Sequence, residues 1–239
     1  MTRLQGPFEQ ARPGDVPGIS VIVPARNECP TIGRLVRELR RILPPPVDVI
    51  VVDDGSTDGT GQTALEAGAR VITLAGRRGK GRALRRGFDE ATGGLVVTID
   101  ADGQDDAEDL LRLVEAARAG ADLVIGSRFL GRFEPGAISR LNYLGTRFFN
   151  HLIGVLYGFS VTDSQAGVRC FRRVLLSRMR LQATEYEIET EMLLEAARLS
   201  ARIVEVPVRR MPRGSGRSSF SRVRHGLRIL STILRKRLP

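Results

Sequence analysis

Short apolar runs alternate with amphipathic segments along the first half of the chain. The runs have the length of buried strands and lie at Ile19–Pro24, Val47–Val52, Arg70–Leu74, Leu95–Ile99 and Asp122–Ile125. Between them apolar residues recur every three or four positions, which predicts a helix that ends before Pro44 and further helices at 58–68, 81–91 and 106–119. This alternation predicts an α/β fold with a mainly parallel central sheet and helices on both faces.

The second half of the chain is less regular. Its pattern predicts helices at 138–158, 188–199 and 223–238, a strand at 202–208, and a polar loop at 163–169. The last helix is basic, and its apolar residues are predicted to share one side: Val223, Leu227, Leu230, Ile233 and Leu234. The chain is therefore divided into a flexible lead-in at 1–18, a main domain at 19–211, and a basic loop with an amphipathic helix at 212–239.

The charge of the chain narrows the choice of partners. Its 239 residues include 37 Lys or Arg and 27 Asp or Glu, which gives a formal net charge of +10. A chain this basic favours an anionic partner: nucleotide phosphates, nucleic acid or an anionic membrane. Nucleic acid fits poorly, because the charge is concentrated in the tail and only 5% of the residues are aromatic.

Compartment and membrane attachment can also be predicted. Two cysteines far apart in sequence form neither a disulfide framework nor a zinc pattern, which favours a reducing compartment. We expect no signal peptide and no transmembrane helix, because the chain has no uninterrupted apolar run of about 20 residues. The basic helix at the end predicts a cytoplasmic protein held peripherally at an anionic membrane surface. The alternative is a helix that packs on the domain and keeps a solvated basic face.

Polar side chains follow several predicted strands at the points where they end. They are Asn27 and Glu28, Asp53 and Asp54, Asp100 and Asp102, and Ser127 and Arg128. Because ligands of such sheets bind beyond the carboxyl ends of the strands, we expect these side chains to line one crevice. Asp53 can accept hydrogen bonds from a base or ribose there, and Arg128 can offset diphosphate charge.

Asp100 and Asp102 are the strongest metal candidates. Residues two apart at the end of an extended strand point to the same side, so these carboxylates can share one divalent cation. Alternatively, one holds the cation and the other a substrate hydroxyl. Hard oxygen ligands suit Mg²⁺ or Mn²⁺ with phosphate oxygens completing the shell. The competing explanation is an ordinary polar exit from a strand.

Lys80 is flanked by Gly79 and Gly81, which would let the backbone approach a ligand closely. In isolation Lys80 is better explained as a surface lysine at a helix start, and the two glycines favour a functional role. The glycines here lack P-loop spacing, and no Gly-x-Gly-x-x-Gly follows the first strand, which argues against a dinucleotide oxidoreductase.

Five motifs in order carry a resemblance to a known family. They are Val23–Glu28, Asp53–Asp58, Gly79–Gly81, Asp100–Gln104 and Gly126–Arg128. Together they resemble the family 2 inverting glycosyltransferases, and among these the dolichyl-phosphate and polyprenyl-phosphate mannose and glucose synthases. The resemblance extends from about residue 20 to residue 219.

The resemblance implies a GT-A nucleotide-diphospho-sugar transferase fold and assigns roles by position. The implied donor-binding residues are Pro24, Ala25, Asn27, Glu28, Asp53, Asp54, Lys80, Asp100, Ala101 and Asp102. The implied metal ligands, for Mg²⁺ or Mn²⁺, are Asp100 and Asp102. The implied catalytic residues are Asp102, Gln104 and Arg128. The implied contacts to an acceptor phosphate are Arg128, Arg140, Arg210 and Arg217.

The resemblance also implies a reaction. A hexose would move from a nucleoside-diphosphate sugar to a polyprenyl or dolichyl phosphate in a metal-dependent, inverting transfer, with GDP-mannose favoured as donor. The alternative is a GT-A enzyme that uses UDP-glucose or a soluble acceptor. More remote alternatives are a basic nucleic-acid-binding protein, prompted by charge alone, and an inactive scaffold, against which the intact acidic motifs argue.

Overall fold

A computed structural model describes residues 18–213 and 221–237. In these residues the strands are β1 (Ile19–Ala25), β2 (Val47–Asp53), β3 (Arg70–Thr73), β4 (Leu95–Thr98), β5 (Leu123–Phe133), β6 (Arg169–Arg172) and β7 (Ile203–Arg210). The helices are α1 (Cys29–Ile42), α2 (Thr60–Glu66), α3 (Lys80–Glu90), α4 (Asp109–Arg118), α5 (Arg140–Tyr157), α6 (Arg173–Leu176), α7 (Ile188–Arg198) and α8 (Arg222–Arg237). The predicted lead-in, apart from its last residue, lies outside the described residues.

The strands form one sheet in the order β3-β2-β1-β4-β6-β5-β7. β1 pairs in parallel with β2 and β4, and β2 with β3, so the carboxyl ends of these strands lie at one edge. β5 and β7 are also parallel, whereas β6 is antiparallel to both of its neighbours. The predicted mainly parallel sheet is confirmed. The strand β6 was missed because the polar loop at 163–169 leads directly into it.

Helices cover both faces of the sheet, as predicted. Alternate residues of a strand point to opposite faces, so Val21 and Ile22 of β1 belong to different cores. The core on one face joins Val21 to apolar residues of α1 and α4, and the core on the other joins Ile22 to α3, α5, α7 and α8. Both faces are therefore buried, which explains why the strands read as continuous apolar runs.

β5 is longer than the sequence predicts. The apolar run ends at Ile125, whereas the strand continues to Phe133. Ser127 and Arg128 therefore lie inside a strand, and their prediction at a strand exit is wrong. The pairing of β5 with β7 shifts register between Ser127 and Arg132. The strand therefore continues past its polar residues with a local irregularity.

The acidic pair also lies in a different local structure. β4 ends at Thr98, and Asp100 and Asp102 lie in the following turn, where Gly103 has a φ of 68°. The extended backbone expected at these residues is therefore replaced by a turn. The turn is tighter than a strand, because Gln104 N donates to Asp102 Oδ1 at 3.1 Å.

α8 is amphipathic, but its sides differ from the prediction. Ile233 is buried, whereas Val223 and Leu227 of the same predicted side are exposed. The inward side carries cations: Arg228 lies 3.1 Å from Glu187, and Lys236 lies 2.8 Å from Glu195. These pairs with Glu187 and Glu195 fix the rotation of the helix. The predicted apolar side is therefore divided, because Ile233 packs on the domain while Val223 and Leu227 face outward. Among the described helices, none combines the length and apolarity needed to cross a membrane.

Candidate active site

The ends of β1 and β2 are joined by side chains of the loops that follow them. The Asn27 backbone N–H donates to Ser56 Oγ at 3.0 Å, and Thr57 N–H donates to Asn27 Oδ1 at 2.9 Å. Asn27 has a φ of 53°, a left-handed conformation that asparagine tolerates. Asp54 N–H donates to the carbonyl of Ala25. The two predicted donor-binding segments therefore form one continuous rim.

Asp53 and Asp54 are adjacent but face different surroundings. Asp53 Oδ1 accepts from Ser56 N–H at 2.9 Å. Asp54 receives the backbone N–H groups of Arg78 and Gly79 at 2.5 and 2.9 Å, which fixes the loop before α3. A cavity of about 420 Å³ lies beside Asp53, and its lining includes Gly59, Gly61, Leu65 and Thr73. Asp53 therefore borders an open space, whereas Asp54 is an anchor for the loop of Lys80.

Lys80 lies between two carboxylates. Its Nζ is 2.6 Å from Asp100 Oδ1 and 2.7 Å from Glu189 Oε1, and it stands 5.5 Å from the ring centre of Tyr186. Burial alone would lower the pKa of Lys80, but the charges of Asp100 and Glu189 outweigh burial and raise it. Lys80 is therefore a fixed cation in the site, which rules out its explanation as a surface lysine.

The glycines beside Lys80 allow the loop to lie against the chain before α7. A Cβ built on Gly81 would lie 2.6 Å from the carbonyl oxygen of Ala183. We expect Gly81→Ala to lower the free energy of unfolding by about 1–3 kcal/mol, because the backbone must shift. Gly145→Ala in α5 is the matched control, since a Cβ there meets no atom within 4 Å. It should stabilise by up to about 1 kcal/mol through helix propensity. Urea unfolding measures both, and equal stabilisation by the two alanines would contradict the close approach.

Asp102 lies among groups from the end of β7. Asp102 Oδ2 is 3.6 Å from Arg210 and 3.8 Å from Arg213, and Arg213 also contacts Glu28. Arg210 Nη2 donates to Gln104 Oε1 at 2.9 Å. Gln104 and the residue after β7 exchange further bonds, since Met211 N–H donates to the Gln104 carbonyl. The segment after β7 therefore closes over the predicted catalytic residues.

The carboxylates of this site differ in the direction in which their surroundings shift the pKa. Burial raises the pKa of Asp102, and Asp100 adds to this effect while Arg210 opposes it. Burial also opposes ionisation of Asp100, but the charges of Lys80 and Arg210 outweigh it and lower the pKa. Burial raises the pKa of Glu28 to about 7 against the charge of the neighbouring guanidinium. Asp100 is thus the firmly ionised member of the pair.

The donor set at Asp102 suits a hard divalent cation. Two long arginine contacts from described residues reach Asp102 Oδ2, whereas Asp100 Oδ1 is already bonded to Lys80. Among the described residues, no group of three or more His, Cys, Asp or Glu is arranged to hold a metal ion. A cation at Asp102 would therefore need oxygens from a ligand, such as those of a diphosphate.

Arg128 is held by a buried carboxylate. Its Nε and Nη2 donate to the two oxygens of Asp163 at 2.7 and 2.8 Å, a bidentate pair. Asp163 is fully buried, and its backbone N–H donates to Glu205 at 3.0 Å. Glu205 also accepts from the backbone and hydroxyl of Thr162. The guanidinium is therefore fixed in orientation, with Nη1 outside the pair with Asp163.

The remaining predicted residues occupy varied positions. Ala25 and Ala101 are buried and contribute backbone carbonyls, and Pro24 is half-buried at the end of β1. Arg140 is exposed at the first residue of α5, and Arg217 lies outside the described residues. The structure thus brings together the acidic turn, Lys80 and the end of β7.

Most of the chain matches one known protein family. The model of a family described as "Glycosyl transferase family 2" matches residues 20–180, which include the exits of β1, β2 and β4. The chain belongs to glycosyl transferase family 2. Its identification as a glycosyltransferase, made from five short motifs, is confirmed.

Several relatives of this family 2 glycosyltransferase are similar to it over most of the chain. The undecaprenyl-phosphate mannosyltransferase of Micrococcus luteus is 36% identical over 224 residues, covering 85% of this chain and 87% of that protein. The polyprenol monophosphomannose synthase of Mycolicibacterium smegmatis is 34% identical over 218 residues, covering 84% and 80%. Glycosyltransferase AglJ of Haloferax volcanii is 35% identical over 199 residues, covering 83% of this chain and 64% of that protein. The family 2 chain thus spans less than two thirds of AglJ.

Solved structures confirm the GT-A fold. The crystal structure of glucosyl-3-phosphoglycerate synthase from Mycobacterium tuberculosis in complex with UDP has a TM-score of 0.75 at 26% identity, covering 92% of this chain and 80% of that chain. A complex of that synthase with Mn²⁺, UDP and glucosyl-3-phosphoglycerate has a TM-score of 0.73, also at 26% identity and with the same coverage of both chains.

The sequence did not indicate every residue of the family 2 site. Glu189, the second partner of Lys80, falls in the predicted helix at 188–199, and Glu205 falls in the predicted strand at 202–208. Neither pattern marks these glutamates as site residues. The available signal was weak: helix 188–199 carries several glutamates among apolar residues. All of these are buried, and Glu189 Oε2 has no hydrogen-bond partner among the described residues.

Proposed function

We propose that this glycosyltransferase moves a hexose from a nucleoside-diphosphate sugar to a polyprenyl phosphate, with inversion at the anomeric carbon. GDP-mannose is the favoured donor. The observation that carries the proposal is the arrangement of charge: an acidic turn beside Lys80 at the end of β4, and an arginine fixed by Asp163 on β5. The names of the Micrococcus luteus and Mycolicibacterium smegmatis relatives support the lipid-phosphate acceptor.

The acceptor needs little activation. A phosphate monoester has a second pKa near 6, so it is largely ionised near neutral pH and its oxygen can attack the anomeric carbon directly. The bond from that carbon to the leaving diphosphate breaks, and the electron pair stays with the diphosphate. No histidine is needed as general base. The main task of the protein is to hold two anions close together.

Arginines meet this requirement at the acceptor. Arg128 presents Nη1 to the acceptor phosphate while Asp163 holds the rest of its guanidinium. Arg210, Arg140 and Arg217 are assigned to the same phosphate, with Gln104 held in place by Arg210. Fixed guanidinium groups neutralise and orient a phosphate more effectively than flexible lysines.

The donor is assigned to the rim around the acidic turn. Asp53 faces the nucleoside, and Asn27, Glu28 and Asp54 shape the rim. Mg²⁺ or Mn²⁺, held by Asp102 with Asp100, would supply Lewis-acid stabilisation of the leaving diphosphate. Lys80 favours the ionised form of Asp100, and it places a positive charge beside the proposed position of the leaving diphosphate.

A polyprenyl phosphate is anchored in a bilayer, so the proposal places the enzyme at a membrane. We propose a cytoplasmic protein that associates peripherally with an anionic membrane surface. The basic composition of α8 supports electrostatic attraction, since each Lys or Arg near an anionic surface contributes on the order of 1 kcal/mol.

A second candidate keeps the fold and changes both substrates. The donor would be UDP-glucose and the acceptor a small phosphorylated acid. The observation that favours it is the structural likeness to glucosyl-3-phosphoglycerate synthase, which was crystallised with UDP and Mn²⁺. Both candidates use an anionic acceptor and therefore the same arginines.

Thermal unfolding with ligands tests the donor. GDP-mannose, UDP-glucose, GDP and UDP are each added with and without Mn²⁺. We expect the guanine nucleotides with Mn²⁺ to stabilise, by about 2.7 kcal/mol at about 100 times the dissociation constant. A shift with uracil nucleotides alone would favour the second candidate, and no shift with any nucleotide would contradict the enzyme. Transfer of labelled sugar to undecaprenyl phosphate or to 3-phosphoglycerate then separates the acceptors.

A further inference from the structure

α5 exposes a row of large apolar side chains. Along this 18-residue helix, the exposed fraction is 64% for Leu141, 60% for Leu144, 56% for Phe148 and 67% for Val155. The spacing of three, four and seven residues places them on one face. The opposite face buries Ile153 in the core. A soluble domain gains nothing by exposing such a row, and large exposed apolar patches mark interaction sites.

α8 continues the pattern beside α5. Near the starts of the two helices Arg222 Nε donates to Asn142 Oδ1 at 3.2 Å, and near their ends Tyr157 OH donates to the Ile233 carbonyl at 2.6 Å. The helices therefore lie side by side and run in the same direction. α8 exposes its own apolar row, with exposed fractions of 76% for Val223, 63% for Leu227 and 49% for Leu234.

The charges of the two helices have one sign. Neither α5 nor α8 contains an Asp or Glu. Of their cations, Arg228 points inward to Glu187, at the start of α7, and Lys236 to Glu191 and Glu195 within it. The exposed cations are Arg140, Arg147, Arg222, Arg224, Arg235 and Arg237. The exposed faces thus combine leucine, valine and phenylalanine with arginine and lack any carboxylate.

We infer that the exposed faces of α5 and α8 form one docking surface for an anionic lipid bilayer. Apolar side chains of a helix that lies in the interface enter the acyl boundary, while arginines meet lipid phosphates. At about 1.5 Å per residue, α5 is about 27 Å long, so the pair offers an extended contact and not a point anchor. A nucleic acid would use the arginines but leave the apolar rows in water.

The surface deepens the proposed function, on which its role in acceptor delivery rests. α5 follows β5, the strand that carries Arg128, and begins at Arg140. Docking of α5 on a bilayer would bring these proposed acceptor arginines towards lipid headgroups. Binding to lipid itself does not depend on catalysis and can be measured without any acceptor.

Vesicle binding tests the inference. The protein is mixed with phosphatidylcholine vesicles with and without phosphatidylglycerol, all free of polyprenyl phosphate. We expect binding to the anionic vesicles that weakens as salt rises. Leu144→Gln with Phe148→Gln on α5, and separately Leu227→Gln with Leu234→Gln on α8, should each lower the partition coefficient about tenfold or more. The control pair is Leu111→Gln with Val174→Gln, apolar side chains of α4 and α6 that are 37% and 65% exposed. It should bind like the wild type.

Three results would overturn the inference, and one further result would separate it from the proposed function. Unchanged binding by the α5 pair would exclude α5 from the docking surface. Equal loss of binding in the control pair would show that exposed apolar side chains anywhere on the protein contribute to binding. A wild-type dimer that the α5 pair converts to monomer, with vesicle binding unchanged, would assign the face to a second copy of the chain. A retained nucleotide shift in thermal unfolding shows that each variant is folded. If vesicles bind but no sugar reaches a polyprenyl phosphate, the proposed function fails while the docking surface stands.

Discussion

Replacing Asp102 with asparagine should lower turnover by about two to three orders of magnitude, which corresponds to the several kcal/mol that a charge-stabilising site at the leaving group supplies. Asparagine keeps the size of the side chain and an oxygen that can accept from Gln104 N–H, so the turn should stay folded. It removes a negative charge that lies 3.6 Å from Arg210 and 3.8 Å from Arg213. The measurement is the initial rate of transfer as a function of Mn²⁺ concentration.

A matched substitution separates this effect from the general loss of a carboxylate. Asp89 is exposed on α3, and Asp89→Asn should leave both the rate and its dependence on Mn²⁺ unchanged. An Asp102→Asn enzyme with near-normal turnover in Mg²⁺ or Mn²⁺ would reject the assignment of the metal and the diphosphate to this turn.

The second large effect concerns stability as well as activity. Asp163→Asn should lower the free energy of unfolding by about 3–5 kcal/mol, because it leaves the largely buried guanidinium of Arg128 without its carboxylate. The double variant Arg128→Met with Asp163→Asn should recover most of this loss, since the unpaired charge is gone. Transfer activity should stay low in both, because the fixed arginine is absent or misplaced. Urea unfolding and the acceptor KM measure the two parts.

An exposed pair provides the comparison. Arg70 and Asp48 are 2.9 Å apart with side chains 40% and 37% exposed. Their double-mutant cycle should give a coupling of only about 0–1 kcal/mol. If the cycle at Arg128 and Asp163 gives a coupling equally small, or if the double variant transfers sugar normally, the proposed role of the pair is wrong.

The sequence predicts the proposed donor side of the site better than the proposed acceptor side. Asn27, Asp53 and Asp100 follow apolar runs that pair in parallel, so their convergence follows from the strand pattern alone. Arg128 was predicted at a strand exit but lies inside β5. The prediction failed because the irregular pairing of β5 with β7 has no signature in the local pattern. The pair of Lys80 with Glu189 joins residues far apart in the chain, and periodicity carries no information on such contacts.

α8 shows a second reason for failure. Periodicity identified the helix, but the rotation of a helix depends on what it packs against. Arg228 and Lys236 turn towards glutamates at the start of α7 and within it, which are themselves buried and need cations. Apolar residues then fall partly inside and partly outside. The helix predicted at 138–158 corresponds to α5, but nothing in the sequence showed that its apolar row is exposed.

The antiparallel strand β6 sets an order of events during synthesis. β1 to β4 are contiguous in sequence and can pair as soon as residue 98 has left the ribosome. β6 fits between β4 and β5 and can join only after both exist. Until then Lys80 lacks its partner Glu189, and the acidic turn lacks its contacts with the end of β7, because both come still later in the chain. We therefore expect the nascent chain to fold the half that contains β1 to β4 early. The complete site should form only in the last stage, with the non-local insertion of β6 as the slow step.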